Sequence, residues 1–159
     1  LGDVYKRQVY RKEVRKMKLI DLLKNGLIRT WHNHNFLVHM QFTNENYIAD
    51  TIEEAIQVAN MRKGQQETLS AYLDVFKEVK DKTVIVDIYN DCMFLTSSHN
   101  MTEYAKKWCA IYIKSNNYQK IKNYIDYQSL GAAFYADGCY IKTPKGIIER
   151  LSNVPTQDI

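Results

Sequence analysis

Residues 34–59 read HNFLVHMQFTNENYIADTIEEAIQVA, and the spacing of the apolar residues changes within this stretch. Between 34 and 42, alternate residues share one apolar face, which predicts a strand. From Asp50 onward, with Glu53 placed as in a capping box, apolar residues recur at the spacing of an amphipathic helix. A strand that leads into such a helix predicts a mixed α+β domain.

Further amphipathic helices are predicted on both sides of this stretch. One covers residues 17–24, and another follows Gly64, which we expect to end the preceding helix; its buried stripe lies within 69–79. Two more begin at Asn100 and Asp126, whose side chains are good helix caps. The buried stripe of the helix after Asn100 is predicted to be Met101, Tyr104, Ala105, Trp108 and Tyr112.

Two other segments predict strands. Thr83–Tyr89 reads TVIVDIY and is rich in β-branched residues, which favours a buried strand. Cys139–Lys142 and Ile147–Arg150 predict a hairpin, because the intervening Thr-Pro-Lys-Gly sequence has the proline and glycine of a tight turn. The predicted fold is a small α+β domain with short strands, several amphipathic helices and a C-terminal β-hairpin.

The composition is typical of one globular domain. The chain has 159 residues and a formal net charge of +4. No apolar run approaches the roughly 18 residues that cross a membrane. The three cysteines are an odd number without paired spacing, which favours a reduced, cytoplasmic setting over a disulfide scaffold.

The first sixteen residues are expected to be non-native. Residues 3–8 can be back-translated into a transposon mosaic end, and residues 11–17 into a ribosome-binding site followed by a start codon, which makes Met17 the expected native start. Six of the lysines and arginines but only two carboxylates lie in residues 1–16, so the remainder is neutral. The basic charge of the whole chain is therefore no sign of nucleic-acid binding.

The sequence predicts no catalytic site. The glycines are scattered, without a phosphate-binding loop, and Glu53 and Glu54 are neighbours on a helix that cannot face one another. Cys92, Cys109 and Cys139 are expected to be small core residues and not activated nucleophiles. We therefore expect a protein that is not an enzyme and that needs no cofactor.

A metal site is also not expected. His32 and His34 could share one face of a strand, as two metal ligands do. A third ligand from His39, His99 or Cys92 has no supporting spacing. Ordinary polar histidines are the preferred interpretation.

One charge pattern is unusual, because no carboxylate lies between Glu103 and Asp126. Lysines and aromatic residues alternate there, a composition suited to phosphate contact and base stacking. The alternative interpretation is a solvated basic face over a packed helix. The candidate nucleic-acid contacts are Lys106, Lys107, Lys114, Lys120, Lys122 and Tyr118, with Trp108, Tyr112 and Tyr124 interleaved.

The last third of the chain carries a recognisable order of motifs. It contains NMTEYA at 100–105, KNYIDYQSLG at 122–131, Asp137-Gly138, and GIIE at 146–149. Over about residues 99–150 this order resembles the C-terminal part of ArdA-type antirestriction proteins. The matching positions are Tyr124, Asp126, Tyr127, Leu130 and Gly131.

The resemblance implies a non-catalytic protein of a plasmid, phage or conjugative element. Such proteins inhibit type I restriction-modification enzymes as homodimers whose carboxylates imitate DNA phosphates. It divides the chain into an N-terminal α+β part at 17–98, an antirestriction-like domain at 99–151 and a tail at 152–159. The candidate mimic carboxylates are Asp87, Asp91, Glu103, Asp126, Asp137 and Glu149.

The sequence departs from this family in charge. Gln128 stands where the family usually has glutamate, and Ala132-Ala133 replace an arginine-aspartate pair. Two other functions therefore stay open: a nucleic-acid-binding accessory protein that uses residues 106–124, and a protein–protein adaptor of a mobile element.

Overall fold

The computed structural model describes residues 19–151. The expected read-through segment, the native start at Met17 and the tail at 152–159 lie outside the described residues. The helices are α1 Leu19–Lys24, α2 Ile52–Ala59, α3 Lys63–Phe76, α4 Thr83–Tyr89, α5 Met101–Tyr112, α6 Ser115–Ile121 and α7 Tyr127–Ala136. The strands are β1 Ile28–Thr30, β2 Phe36–Met40, β3 Glu45–Ala49, β4 Met93–Leu95, β5 Tyr140–Thr143 and β6 Gly146–Arg150. The fold class is α+β, as predicted.

The first sheet is an antiparallel meander in the order β1-β2-β3. The predicted strand at 34–42 is β2, and it pairs with β3 from Phe36↔Ala49 to Met40↔Glu45. Val38 and Met40 are fully buried, whereas Phe42 lies in the turn and is exposed. The sequence does not predict β1, which has three residues, or β3, in which polar Glu45 and Asn46 precede three consecutive apolar residues without alternation.

The capping box of α2 is shifted by one residue from the predicted start. Thr51, and not Asp50, caps the helix by accepting the Glu54 N–H at 3.2 Å. Glu54 reciprocates by accepting the Asp50 N–H at 3.0 Å. The Thr51–Glu54 pair has the same three-residue spacing as the predicted pair, so a local pattern located this helix to within one residue.

The break between α2 and α3 also differs from the prediction. α2 ends at Ala59, and Gly64 lies in the first turn of α3. α3 ends at Phe76, which is exposed, and Lys77 has a left-handed backbone with φ of 67°. Val79 is buried, as expected of the stripe, but lies beyond the helix.

The prediction of a strand at Thr83–Tyr89 is wrong, because this segment is α4. Asp81, two residues before the helix, stabilises its first turn: its Oδ1 accepts the Thr83 N–H at 3.0 Å, and its carbonyl accepts the Val84 N–H. The buried residues Val84, Ile85 and Ile88 have helical spacing. Burial of this helical face outweighs the intrinsic β preference of the segment.

The second sheet has the order β4-β6-β5 and contains the predicted C-terminal hairpin. Its third strand, β4, comes from residues 93–95 and pairs with β6. Ile148 on the central strand belongs to one hydrophobic cluster with Leu69 of α3 and Ile85 of α4. Sheet and core thus both include residues from each side of the predicted boundary at 98/99.

Candidate functional site: the motif unit

The motifs of residues 100–149 form a unit made of α5, α7, β5 and β6, here called the motif unit. Asn100 caps α5 by accepting the Glu103 N–H at 2.8 Å, and Glu103 accepts the His99 N–H at 3.0 Å. Asp126 caps α7 by accepting the Ser129 N–H at 3.0 Å. Both predicted caps are confirmed.

Gly131 allows α7 to lie directly against α5. A Cβ atom built on Gly131 would be 2.5 Å from the carbonyl oxygen of Met101 and 2.7 Å from its carbonyl carbon. Real Cβ atoms do not approach a backbone so closely, so any side chain here would force the two helices apart. The glycine of the motif therefore has an architectural role.

Tyr127 is the point at which three helical segments meet. Its hydroxyl donates to the carbonyl of Lys122 at 2.8 Å and lies 3.3 Å from the hydroxyl of Tyr118 on α6. The bond to Tyr118 is the main cause that raises the pKa of Tyr127 to about 12. The Nζ of Lys106 on α5 lies 6.0 Å from the centre of the Tyr127 ring.

A row of aromatic rings joins the hairpin to α5 and α7. The Tyr104 ring contacts those of Tyr140 and Phe134, and Phe134 contacts Trp108. The Tyr104 hydroxyl donates to Glu149, and burial followed by this bond raises the pKa of Tyr104. Glu149 is therefore a structural acceptor within the motif unit.

The predicted stripe of α5 is only partly correct. Met101 and Ala105 are buried, and so is Cys109, which the stripe omitted. Trp108 is half-exposed against Phe134, and Tyr112 is 67% exposed at the end of the helix. The prediction fails at the last turn of α5, where the apolar spacing continues but few other residues pack against the helix.

The six candidate mimic carboxylates divide into two groups. Asp87 binds Arg150 at 2.5 Å and Asp91 binds Arg62 at 2.5 Å, while Glu149 accepts from Tyr104. These three hold the fold together. The other three carboxylates are exposed or half-exposed and lie at helix ends. They are Glu103, Asp126 and Asp137.

The candidate lysines also divide. Lys107 binds Glu103 at 2.9 Å and the Ser97 carbonyl at 3.0 Å. Within residues 19–151, no carboxylate lies within ion-pair distance of the other four lysines. These are Lys106, Lys114, Lys120 and Lys122.

A charge cluster that the sequence did not predict lies outside the motif unit. Lys82 is 2.9 Å from Glu54 and 3.0 Å from Asp50, beside the buried ring of Tyr47 and a groove of ≈ 680 Å³. Burial lowers the pKa of Lys82, but the hydrogen bonds to Glu54 and then Asp50 outweigh it and raise this pKa. The cluster ties α2 to α4, and no local sequence signal could reveal it because its members come from separate elements.

The histidines and cysteines are placed differently from the prediction. Only Cys109 is buried; Cys92 and Cys139 are partly exposed, so the prediction that all three are core residues is wrong for these two. His32 and His34 belong to a short 3-10 turn and not to a strand, and Asn33 and His34 have positive φ angles of 56° and 65°. Burial raises the pKa of Cys109, which keeps this thiol protonated. In the part of the chain that the structure describes, no group of three His, Cys, Asp or Glu residues is placed to hold a metal ion.

The cap of α7 predicts a specific acid sensitivity. Hydrogen bonds from the side chain and then the backbone of Ser129 lower the pKa of Asp126. Its carboxylate thus stabilises the fold above an ordinary aspartate pKa of about 4, and this contribution is lost as pH falls through the lowered value. Asp126→Asn should reduce the fall in melting temperature on acidification, whereas Asp137→Asn, at the other end of α7, should not. Thermal unfolding followed by circular dichroism from neutral pH to pH ~2 measures this.

No helix within residues 19–151 is both long and apolar enough to cross a bilayer. Comparison with protein-family models, with curated proteins and with solved structures finds no match to the chain.

Proposed function

We propose that this protein is a non-catalytic antirestriction protein of a mobile genetic element, which inhibits a type I restriction-modification enzyme by imitating DNA. The observation that carries the proposal is that the motifs at 100–149 form one packed unit, with Asn100 and Asp126 as caps and Gly131 at the helix contact. A resemblance confined to unrelated surface positions would have no such common structure.

Because residues 17–159 carry no net charge, the proposed imitation of DNA depends on where individual carboxylates lie on the surface. DNA carries about one negative charge per 1.7 Å of its axis, and an enzyme that binds it has a basic groove. Glu103 and Asp126 are the candidates for that groove, because each carboxylate stands at the start of a helix in the motif unit; Glu103 would have to exchange its ion pair with Lys107 for a basic group of the enzyme. Gly131 packs against Met101 and the Tyr127 ring lies 6.0 Å from the Nζ of Lys106, so α5 and α7 run antiparallel and the two carboxylates lie at different points along the helix pair.

A homodimer, which the resemblance implies, would repeat this pair of carboxylates on a second copy. Two separated pairs could then contact more than one part of a long DNA-binding groove. Electrostatic complementarity of this kind acts mainly on the rate of association and on the choice of partner.

Cells that carry a type I restriction system and express the full chain should plate unmodified phage more efficiently than cells without it. The double variant Glu103→Gln/Asp126→Asn should reduce this gain by roughly tenfold. Both replacements keep an oxygen that can accept the backbone N–H of His99 or Ser129, so the caps are preserved while the charges are removed.

The matched control is Asp21→Asn/Glu53→Gln, which removes two exposed carboxylates from α1 and α2. We expect it to leave the plating gain unchanged. A folded full-length protein that protects phage from none of the type I enzymes tested would contradict the proposal. An equal loss in the control would show that total charge, and not these two positions, determines inhibition.

A further inference from the structure

We propose that the surface centred on Tyr127, which adjoins Asp126 of the proposed mimic site, binds single-stranded nucleic acid. This surface, here called the Tyr127 face, consists of Lys106, Lys114, Tyr118, Lys122, Tyr124 and Tyr127. It does not depend on the inhibition of a restriction enzyme, and its test is a direct binding measurement.

The first part of the face follows α6. Lys114 is the N-cap residue of this helix and Lys122 is the first residue after it, so the two lysines lie at its two ends, about 12 Å apart, with Tyr118 between them. The middle member, Tyr118, contacts the Tyr127 hydroxyl, so the two lysines flank this contact. Lys120 is two residues from Tyr118 and points away from the face.

The second part of the face comes from α5 and from the 3-10 turn Lys122–Tyr124. Lys106 approaches the Tyr127 ring to 6.0 Å from the side of α5. Tyr124 ends this turn, outside the regular spacing of α6, and is assigned to the edge of the face because its ring is 88% exposed and follows Lys122 by two residues. Trp108 and Tyr112 are not part of the face, because Trp108 follows Lys106 by two positions and contacts Phe134 on the other side of α5.

Charge complementarity identifies the ligand as a polyanion. Within residues 19–151, Lys106, Lys114 and Lys122 have no carboxylate at ion-pair distance, so their charges are available to phosphates. The nearest acids in sequence are Glu103, which binds Lys107, and Asp126, whose oxygens accept from Ser129. Three lysines without an ion-pair partner, beside two acids that have other partners, leave the face with a net positive charge.

The exposed tyrosine favours a single strand over a duplex. Aromatic side chains bind single strands by stacking on unpaired bases, and the ring of Tyr124 is free on the surface two residues after Lys122. In a duplex the bases are already stacked on one another. Lysines that contact the phosphates, together with a ring that stacks on a base, are the combination that single-strand-binding proteins use.

The test measures the fluorescence anisotropy of a labelled oligothymidylate of about 20 nucleotides with the full chain, between about 50 and 200 mM salt. Lys106→Gln/Lys122→Gln should reduce the slope of log affinity against log salt by about 1.4, because each phosphate contact in a single strand contributes about 0.7. Tyr124→Ala should weaken binding by about tenfold. A duplex of the same length should bind more weakly than the single strand.

Matched controls separate this face from other positive charge, including the six basic residues within residues 1–16. Lys24→Gln/Lys63→Gln removes the same charge from exposed positions on α1 and α3, and Tyr112→Ala removes a ring from the other side of α5. Both should keep wild-type affinity. The proposal is overturned by absence of binding at low salt, by an equal loss in the lysine control, or by unchanged binding of Tyr124→Ala.

Discussion

Replacing Gly131 with alanine is expected to lower the free energy of unfolding by about 2–3 kcal/mol. The new methyl group would meet the backbone of Met101 at 2.5 Å, and a backbone carbonyl cannot turn aside as a flexible side chain can. α7 must therefore move away from α5, which would loosen the contacts of Phe134 with Tyr104 and Trp108. Urea denaturation followed by circular dichroism gives the free energy directly.

Gly64→Ala is the matched control for this substitution. Gly64 also lies in a helix, but apart from its two chain neighbours and the backbone of its own helix, no atom lies within 4 Å of the position of its Cβ. Alanine there should be neutral or should stabilise the protein by up to about 1 kcal/mol, because it restores helix propensity. If Gly131→Ala, like Gly64→Ala, left the free energy of unfolding unchanged or raised it, α5 and α7 would not be in close contact.

Local signals explain which elements the sequence predicted. Both helix caps in the motif unit and the hairpin depend on residues within a few positions of one another, and the structure has all three. The segment TVIVDIY failed because its helical state depends on burying Val84, Ile85 and Ile88 against distant parts of the chain. The intrinsic β propensity of a segment takes no account of the distant residues against which that segment packs in the fold.

The prediction of site residues also depended on whether their contacts are local or come from distant parts of the sequence. Asp87 looked like a free acid in the sequence because its partner, Arg150, is 63 positions away. The lysine-rich stretch predicted a basic surface, but only the contacts of Tyr127 show which segments meet there: its ring lies near Lys106, and its hydroxyl donates to the backbone carbonyl of Lys122. The sequence also suggested that Trp108 and Tyr112 belong to this basic surface. The helical turn of α5 instead places Trp108 on a different side of the helix from Lys106, in contact with Phe134.

Replacing Ile148 with alanine is expected to destabilise the whole described structure, by about 2–4 kcal/mol. Ile148 is fully buried on β6, between Leu95 of β4 and Ile141 of β5, and belongs to the cluster that includes Leu69 and Ile85. Its side chain is therefore part of a core that residues from 17–98 and from 99–151 share. Ile111→Ala, which removes a 72% exposed side chain, should change stability by less than about 0.5 kcal/mol.

The two tryptophans can report on the two sides of this core separately. Trp31 follows β1 of the first sheet, and Trp108 lies on α5, so Trp108→Phe and Trp31→Phe each leave a single fluorescent probe. One cooperative unit requires that Ile148→Ala shift the urea midpoint at both probes equally. A shift at Trp108 alone, with Trp31 unchanged, would instead support two separately folding parts that divide near residue 98. Because β4 and Ile148 join the two parts in one sheet and one core, we expect the midpoints to move together.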